Sequence, residues 1–145
     1  MGTVREILAE KGTSVLSIDK DATVLDAALL MNQHKVGSVV VTEDGRLAGM
    51  FTERDVLRRV VGEQRDPATT PVSEVMTTEV ACCGLQTAIE EARVAKRNRR
   101  IRHLPVVDEE QRLLGLVSIG DLNAYHLNSQ EKTIHLLHEY LYGRV

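Results

Sequence analysis

The chain has 145 residues, of which 43% are hydrophobic and 27% charged, and its net charge is −3. That length fits one compact domain or two small halves, and the composition excludes disordered and collagen-like chains. No apolar run approaches the ~18 residues of a membrane-spanning helix, and a pI of about 6.0 weighs against a dedicated nucleic-acid binder.

The opening residues Met1-Gly2-Thr3-Val4-Arg5-Glu6 lack the charged-then-apolar layout of a secretion signal. Val15-Leu16-Ser17-Ile18 predicts a short strand. Thr23 predicts the cap of a helix running to about Gln33, with Asp26 as the reciprocal acid of a capping box. Ala27, Ala28, Leu29, Leu30 and Met31 make that helix apolar on most sides, which predicts burial. Val39-Val40-Val41, the turn at Glu43-Asp44-Gly45-Arg46 and the run from Leu47 to Phe51 predict a β-hairpin. Thr52 then caps a helix from Glu53 to about Val61. Gly62 to Pro71, with Gly62, Pro67 and Pro71 among polar residues, reads as a linker. The second half predicts the same order of strand, helix, hairpin and helix. Its first strand holds the adjacent Cys82 and Cys83, one facing in and one out. They cannot make a disulfide framework, and a reducing cytoplasm fits them best. Asn128 to Tyr142 predicts a terminal helix, capped by Asn128 and Glu131, stopped by Gly143 and apolar along Ile134, Leu137 and Leu141. With aromatic residues at 3%, no Trp and one Phe, the core must be aliphatic.

The two halves repeat each other in four blocks. Val4-Arg5-Glu6-Ile7-Leu8 matches Val72-Ser73-Glu74-Val75-Met76, and Thr23-Val24-Leu25-Asp26-Ala27 matches Ala88-Ile89-Glu90-Glu91-Ala92 in pattern. Val39-Val40-Val41 corresponds to Leu104-Pro105-Val106-Val107. Gly49-Met50-Phe51-Thr52-Glu53-Arg54-Asp55 returns as Gly115-Leu116-Val117-Ser118-Ile119-Gly120-Asp121 at one constant offset. The expected organisation is repeat one over 1–61, a linker over 62–71, repeat two over 72–127 and the terminal helix over 128–145. A half of about 60 residues is marginal alone, so the expectation is one integrated module.

The order β-α-β-β-α given twice, each half closing on Gly-apolar-x-Thr/Ser-x-x-Asp, resembles the CBS-domain pair, or Bateman module. Arg102-His103-Leu104-Pro105-Val106-Val107-Asp108 and the block from Gly115 to Leu122 look like the second repeat of small stand-alone prokaryotic members. The resemblance runs from Val4 to Tyr125. It implies a mixed α/β (α+β) fold of two pseudo-twofold repeats packed sheet to sheet, plus the C-terminal helix. It also implies a sensor of an adenosine nucleotide (AMP, ADP, ATP or NAD) that relays occupancy to a partner protein, needs no cofactor, catalyses nothing and forms a homodimer.

The chemistry of the repeated block suits such a ligand. Thr52 and Asp55, like Ser118 and Asp121, lie three apart at a helix start. Free N–H groups and the helix dipole there favour anions. The hydroxyl can donate to a phosphate oxygen, and the carboxylate can accept both hydroxyls of a ribose. Gly49 and Gly115 permit close approach. The same spacing is also that of a capping box, and the two roles can coexist. The family's site is composite, which pairs Thr52 and Asp55 with Arg99, Arg100 and Arg102, and pairs Ser118 and Asp121 with His34 and Lys35. Arg forks onto phosphate better than Lys, so the first site is expected to take more phosphate charge. The base is expected between aliphatic residues such as Val39, Val41 and Met50, or Pro105, Val107 and Leu116. Thr87 can add a hydroxyl in the second half, where the first has Ala22 or Thr23. Arg54 stands before Asp55 where Gly120 stands before Asp121, and it either reaches a phosphate or crowds the entrance.

Three other patterns have plainer readings. Lys96 to Arg102 reads as a solvated helix face plus ligand arginines, since no aromatics interleave to stack nucleic-acid bases. His126, His135 and His138 lack an acidic or thiol set for zinc. No nucleophile–base set is visible. A ligand-free dimerising scaffold is the alternative function, and a nucleic-acid-binding module a weaker one.

Overall fold

Residues 2–99 and 102–127 are described by the computed structural model. The chain runs α1 (Val4–Lys11), β1 (Ser17–Asp19), α2 (Val24–His34), β2 (Ser38–Glu43), β3 (Arg46–Thr52) and α3 (Glu53–Asp55), which continues as π-helical turns over Val56–Val61. A 3-10 turn at Val72–Glu74 opens the second half, followed by α4 (Ile89–Arg99), β4 (His103–Val107) and β5 (Leu113–Ser118). A further helix, α5, covers 119–127. The predicted terminal helix from Asn128 lies outside the described residues. No helix among them is long and apolar enough to cross a membrane. The fold is thus mixed α+β, in two similar halves.

Local signals set these elements. Thr23 accepts the Asp26 amide while the Asp26 carboxylate accepts the Thr23 amide, and Thr52 and Asp55 do the same. These reciprocal caps satisfy first-turn donors that the helix itself leaves open. At the first hairpin, Asp44 and Gly45 have φ of 51° and 78°. Both are left-handed, so the turn's twist matches that of the strands it joins.

β2 lies between β1, parallel to it, and β3, antiparallel to it, whereas β4 pairs with β5 alone. The registers agree: Ser38 faces Thr52 as His103 faces Ser118. The first strand expected in the second half shrinks to a single bridge, Cys83 to Val106. In the first half the Val40 amide donates to the Leu16 carbonyl at 3.3 Å. The residue at that register in the second half is Pro105, which has no N–H to give. The ladder there consists of Cys83 N–H to Pro105 O and Val107 N–H to Cys83 O, at 2.9 and 2.8 Å. Cys82 is exposed and Cys83 half-buried, neither in a disulfide.

The core is aliphatic apart from Phe51 and forms two clusters whose membership crosses the repeats. One unites Val24, Ala27, Met31, Val39, Val41, Phe51 and Val60 with Val72 and Val75 from the start of the second half. The other unites Ile89, Ala92, Leu104, Val106, Val117 and Leu122 with Val4, Ile7 and Leu8 of α1. Each half therefore buries the other's opening segment. The backbone repeats the exchange: Val72 N–H donates to Ala22 O and Val24 N–H to Thr70 O, while Val4 N–H donates to Thr87 O and Ile89 N–H to Gly2 O. The stretch read as a linker takes part, since Pro67 and Thr70 carbonyls accept from the first turn of α2 and Thr70 is buried. The hairpin tips join the halves directly, through Leu47 N–H to Gln111 O and Leu113 N–H to Gly45 O.

The burial expected of α2 is only partial. Val24, Ala27 and Met31 are buried, but Leu25 and Leu29 are 41% and 57% exposed. Leu57 and Val61, also four apart, are exposed on the helix after Thr52. With both faces of β2–β3 already claimed, one stripe of α2 suffices for the core, and the rest of its apolar surface is left uncovered.

Gly49 and Gly115 permit the close approaches, with different neighbours. A Cβ on Gly49 would lie 2.6 Å from the Thr77 carbonyl oxygen and 2.9 Å from Met76 Sδ, whereas one on Gly115 would meet the Leu8 methyls at 2.8 Å. Backbone cannot move aside as a leucine rotamer can. Gly49→Ala is expected to cost about 2–3 kcal/mol and Gly115→Ala about 1 kcal/mol. Urea denaturation of the two variants checks the order, which equal losses would contradict.

Candidate functional site

The end of β3 delivers Thr52, and the turn into α3 brings Asp55 beneath it. The Asp55 side chain is 7% exposed. Its Oδ2 accepts the Thr52 amide at 3.0 Å and the Thr52 hydroxyl at 3.2 Å. Thr77 donates its hydroxyl to the same carboxylate at 3.2 to 3.3 Å, and Arg59 Nε lies 3.7 Å from Oδ1. Arg59 also donates to the Met76 carbonyl at 2.8 Å. The acid therefore ties the strand–helix turn of the first half to the segment supplied by the second.

A cleft of about 670 Å³ opens over this turn. Its walls carry Thr52, Asp55, Arg54, Arg58 and Arg59 from the first half and Thr77, Arg102 and His103 from the second. That volume lies in the range of small-molecule sites. A slot of about 190 Å³ runs on from it, lined by Leu16, Val36, Val39, Val40, Met50 and Leu116, and sharing Gly37, Ser38, Met50 and His103 with the cleft. Among the residues expected to meet a base, Val39, Met50 and Leu116 line the slot. Val41, Pro105 and Val107 are buried, and Val41 belongs to the core around α2.

The cleft thus brings together Thr52, Asp55 and Arg102, as expected of a composite site. Arg100 and the Arg99 side chain lie outside the described residues. Arg58, Arg59 and Thr77 were not foreseen. The arginines had a local signal, being four and five residues after Arg54 on a helix that starts at the cap. The π-helical winding, with bonds from i to i+5 such as Gly62 N–H to Leu57 O, puts both on the cleft wall. Thr77 had only the repeat as a pointer, since it follows the block that matches Val4 to Leu8.

The mate of this turn is built differently. Ser118 and Asp121 form the same reciprocal pair, at 3.0 and 2.8 Å. The cation on Asp121 is Lys11, at the end of α1, whose Nζ lies 2.6 Å from Oδ2 and donates to the Leu116 carbonyl at 2.8 Å. His34 and Lys35 are exposed at the end of α2, Lys35 with φ 54°, and neither has a hydrogen bond to Ser118 or Asp121 among the described residues. The Thr87 hydroxyl accepts the Gly84 amide at 3.0 Å, closing a turn. His126 Nδ1 sits 3.1 Å from Glu90 Oε1, while His135 and His138 lie outside the described residues. Among the described residues no cluster of three His, Cys, Asp or Glu could hold a metal.

Burial alone would push the Asp121 carboxyl up, but the Lys11 ammonium and the Ser118 amide and hydroxyl outweigh it and hold it below the usual carboxylate range. A depressed folded pKa contributes stability above the unfolded value of about 3.9, and that contribution is lost as pH falls through the folded one. Both side chains are partly exposed, at 37% and 25%, so the pair is worth at most about 1 kcal/mol. In urea unfolding from neutral pH down, Lys11→Met is expected to lose the part of the wild-type decline set by this pair. Parallel curves for the two proteins would contradict the assignment.

Comparison with known proteins finds the CBS domain matching twice, over residues 4–62 and 72–127. The chain is 37% identical over 130 residues to the CBS domain-containing protein YhcV of Bacillus subtilis, covering 90% of this chain and 89% of that one. The crystal structure of the CBS-domain containing protein ATU1752 from Agrobacterium tumefaciens is similar at TM-score 0.74 and 35% identity, over 86% of this chain and 98% of that one. The CBS domain pair of protein MJ0100, crystallised with 5′-methylthioadenosine and S-adenosyl-L-methionine, shares the fold at TM-score 0.73 and 18% identity, over 89% and 98% of the two chains.

Proposed function

The chain belongs to the CBS-domain family as a tandem pair, and from that we propose that it is a regulatory module whose cleft at Thr52 and Asp55 binds an adenosine nucleotide. The observation that carries this reading is the composition of the cleft, with a hydroxyl and a carboxylate from one half and Arg102 and His103 from the other. The ribose hydroxyls go to Asp55, the phosphates to the arginines, and the base into the aliphatic slot beside Val39, Met50 and Leu116. AMP, ADP, ATP and NAD share the adenosine end that these groups would hold. The adenosyl ligands of the MJ0100 pair support the choice of ligand class.

Binding also supplies a route for a signal. A ribose on Asp55 must take over acceptor positions that Thr77 and Arg59 now use. Releasing them removes the side-chain ties at the end of the exchanged segment that begins at Val72 and leaves that end held by the backbone bonds of Thr77 with Met50. Ligand occupancy thus changes how the halves are joined, and a partner protein reads that change. The exposed pairs Leu25 with Leu29 and Leu57 with Val61 support a homodimer.

The second reading, a ligand-free dimerising scaffold, is favoured by one observation: the carboxylate of Asp55 is already fully engaged within the chain. Thermal unfolding separates the two. Nucleotide at a hundredfold excess over Kd adds about 2.7 kcal/mol, a rise of several degrees in Tm. Arg102→Ala is expected to weaken binding by about tenfold or more, the loss of a charge-assisted bond. No rise with AMP, ADP, ATP or NAD at millimolar concentration would favour the scaffold.

A further inference from the structure

We propose that the cleft selects nucleotides with two or more phosphates, and that Arg54 and Arg58 hold the phosphates beyond the first; this rests on the nucleotide reading of the same cleft. The two arginines are four residues apart on one helix, which places them on one face, and both line the cleft. Both are exposed, and among the described residues neither has an ion-pair or hydrogen-bond partner. Arg59, beside them, is committed to the Met76 carbonyl and to Asp55. Of the two acids on the cleft wall, Asp55 faces Arg59 and Thr77, and Glu53 sits against Gly37, where a Cβ would lie 3.1 Å from its Cδ.

The fold does not require these cations. In the mate turn, where Ser118 and Asp121 occupy the places of Thr52 and Asp55, the corresponding residues are Gly120 and Ala124. Two like charges at i and i+4 repel and slightly destabilise their helix. A polyanion placed across them turns that repulsion into attraction, and guanidinium forks match phosphate oxygens in pairs. A single phosphate next to the ribose has Arg102 and the Thr52 hydroxyl to meet it. The further charges of a nucleoside di- or triphosphate are what Arg54 and Arg58 are left to meet. The same field disfavours a cationic adenosyl ligand such as a sulfonium.

Calorimetric titration with adenosine, AMP, ADP and ATP, in magnesium-free buffer containing EDTA, tests the inference on the wild type and on the Arg54→Ala/Arg58→Ala double variant. The wild type is expected to bind ATP at least tenfold more tightly than AMP, with ADP between. In the double variant that ratio is expected to fall below threefold, with adenosine affinity within twofold of wild type. Binding of adenosine and AMP with no gain for ATP, or a ratio that survives in the variant, overturns the inference and leaves the nucleotide reading standing. No binding by any of the four overturns both.

Discussion

The amide of Val4 donates to the carbonyl of Thr87, and the amide of Val72 donates to the carbonyl of Ala22. Through these matched bonds each half accepts the first segment of the other, and the apolar side chains follow. Val72 and Val75 complete the core under β2 and β3, while Val4, Ile7 and Leu8 complete the one under β4 and β5. About sixty residues bury so little surface that a core of their own is marginal. The exchange answers that shortage by making each core a joint product of both repeats. The hairpin tips, bonded to each other at Gly45, Leu47, Gln111 and Leu113, close the other end of the assembly.

The same exchange reaches the two acids. The segment inserted into the first half ends at Thr77, whose hydroxyl meets Asp55, and the segment inserted into the second ends at Lys11, whose ammonium meets Asp121. A neutral donor can be replaced by a ribose hydroxyl of similar strength. An ammonium at 2.6 Å brings a full opposite charge to its carboxylate, which a neutral ribose hydroxyl does not replace. Sequence repetition has therefore produced two turns of one geometry with unlike chemistry. The arginines of the first and the Gly120 and Ala124 of the second widen the difference.

What could be read from the chain was whatever is encoded within one turn or one hairpin. Both capping boxes and the positive-φ turn at Asp44 and Gly45 depend on residues two or three apart, and they formed where the spacing put them. The family pattern further allowed Arg102 to be assigned to the Thr52 cleft across the pseudo-symmetry. The exchange of opening segments was not legible, although the matching blocks at Val4 and Val72 were in view, because similarity says that two segments play one role and not in which half. Lys11 and Thr77 were missed for that reason. The exposure of Leu25 and Leu29 was missed because composition counts apolar residues and does not say how many faces the neighbours will cover.

Pro105 also carries more than the loss of one strand. Its missing N–H leaves the Ala81 carbonyl without the donor that Val40 gives Leu16, so the path from Thr77 to Cys83 is held at its two ends, by the paired bonds of Thr77 with Met50 and by those of Cys83 with β4, with no ladder bond between them among the described residues. Free energies of local opening fall where ladder bonds are few. The stretch between Thr77 and Cys83 is thus a part of the second half that can yield without unfolding the rest. Compliance begins directly after the residue whose hydroxyl meets Asp55, while the backbone of that residue stays bridged to Met50 of the stiffer three-stranded sheet.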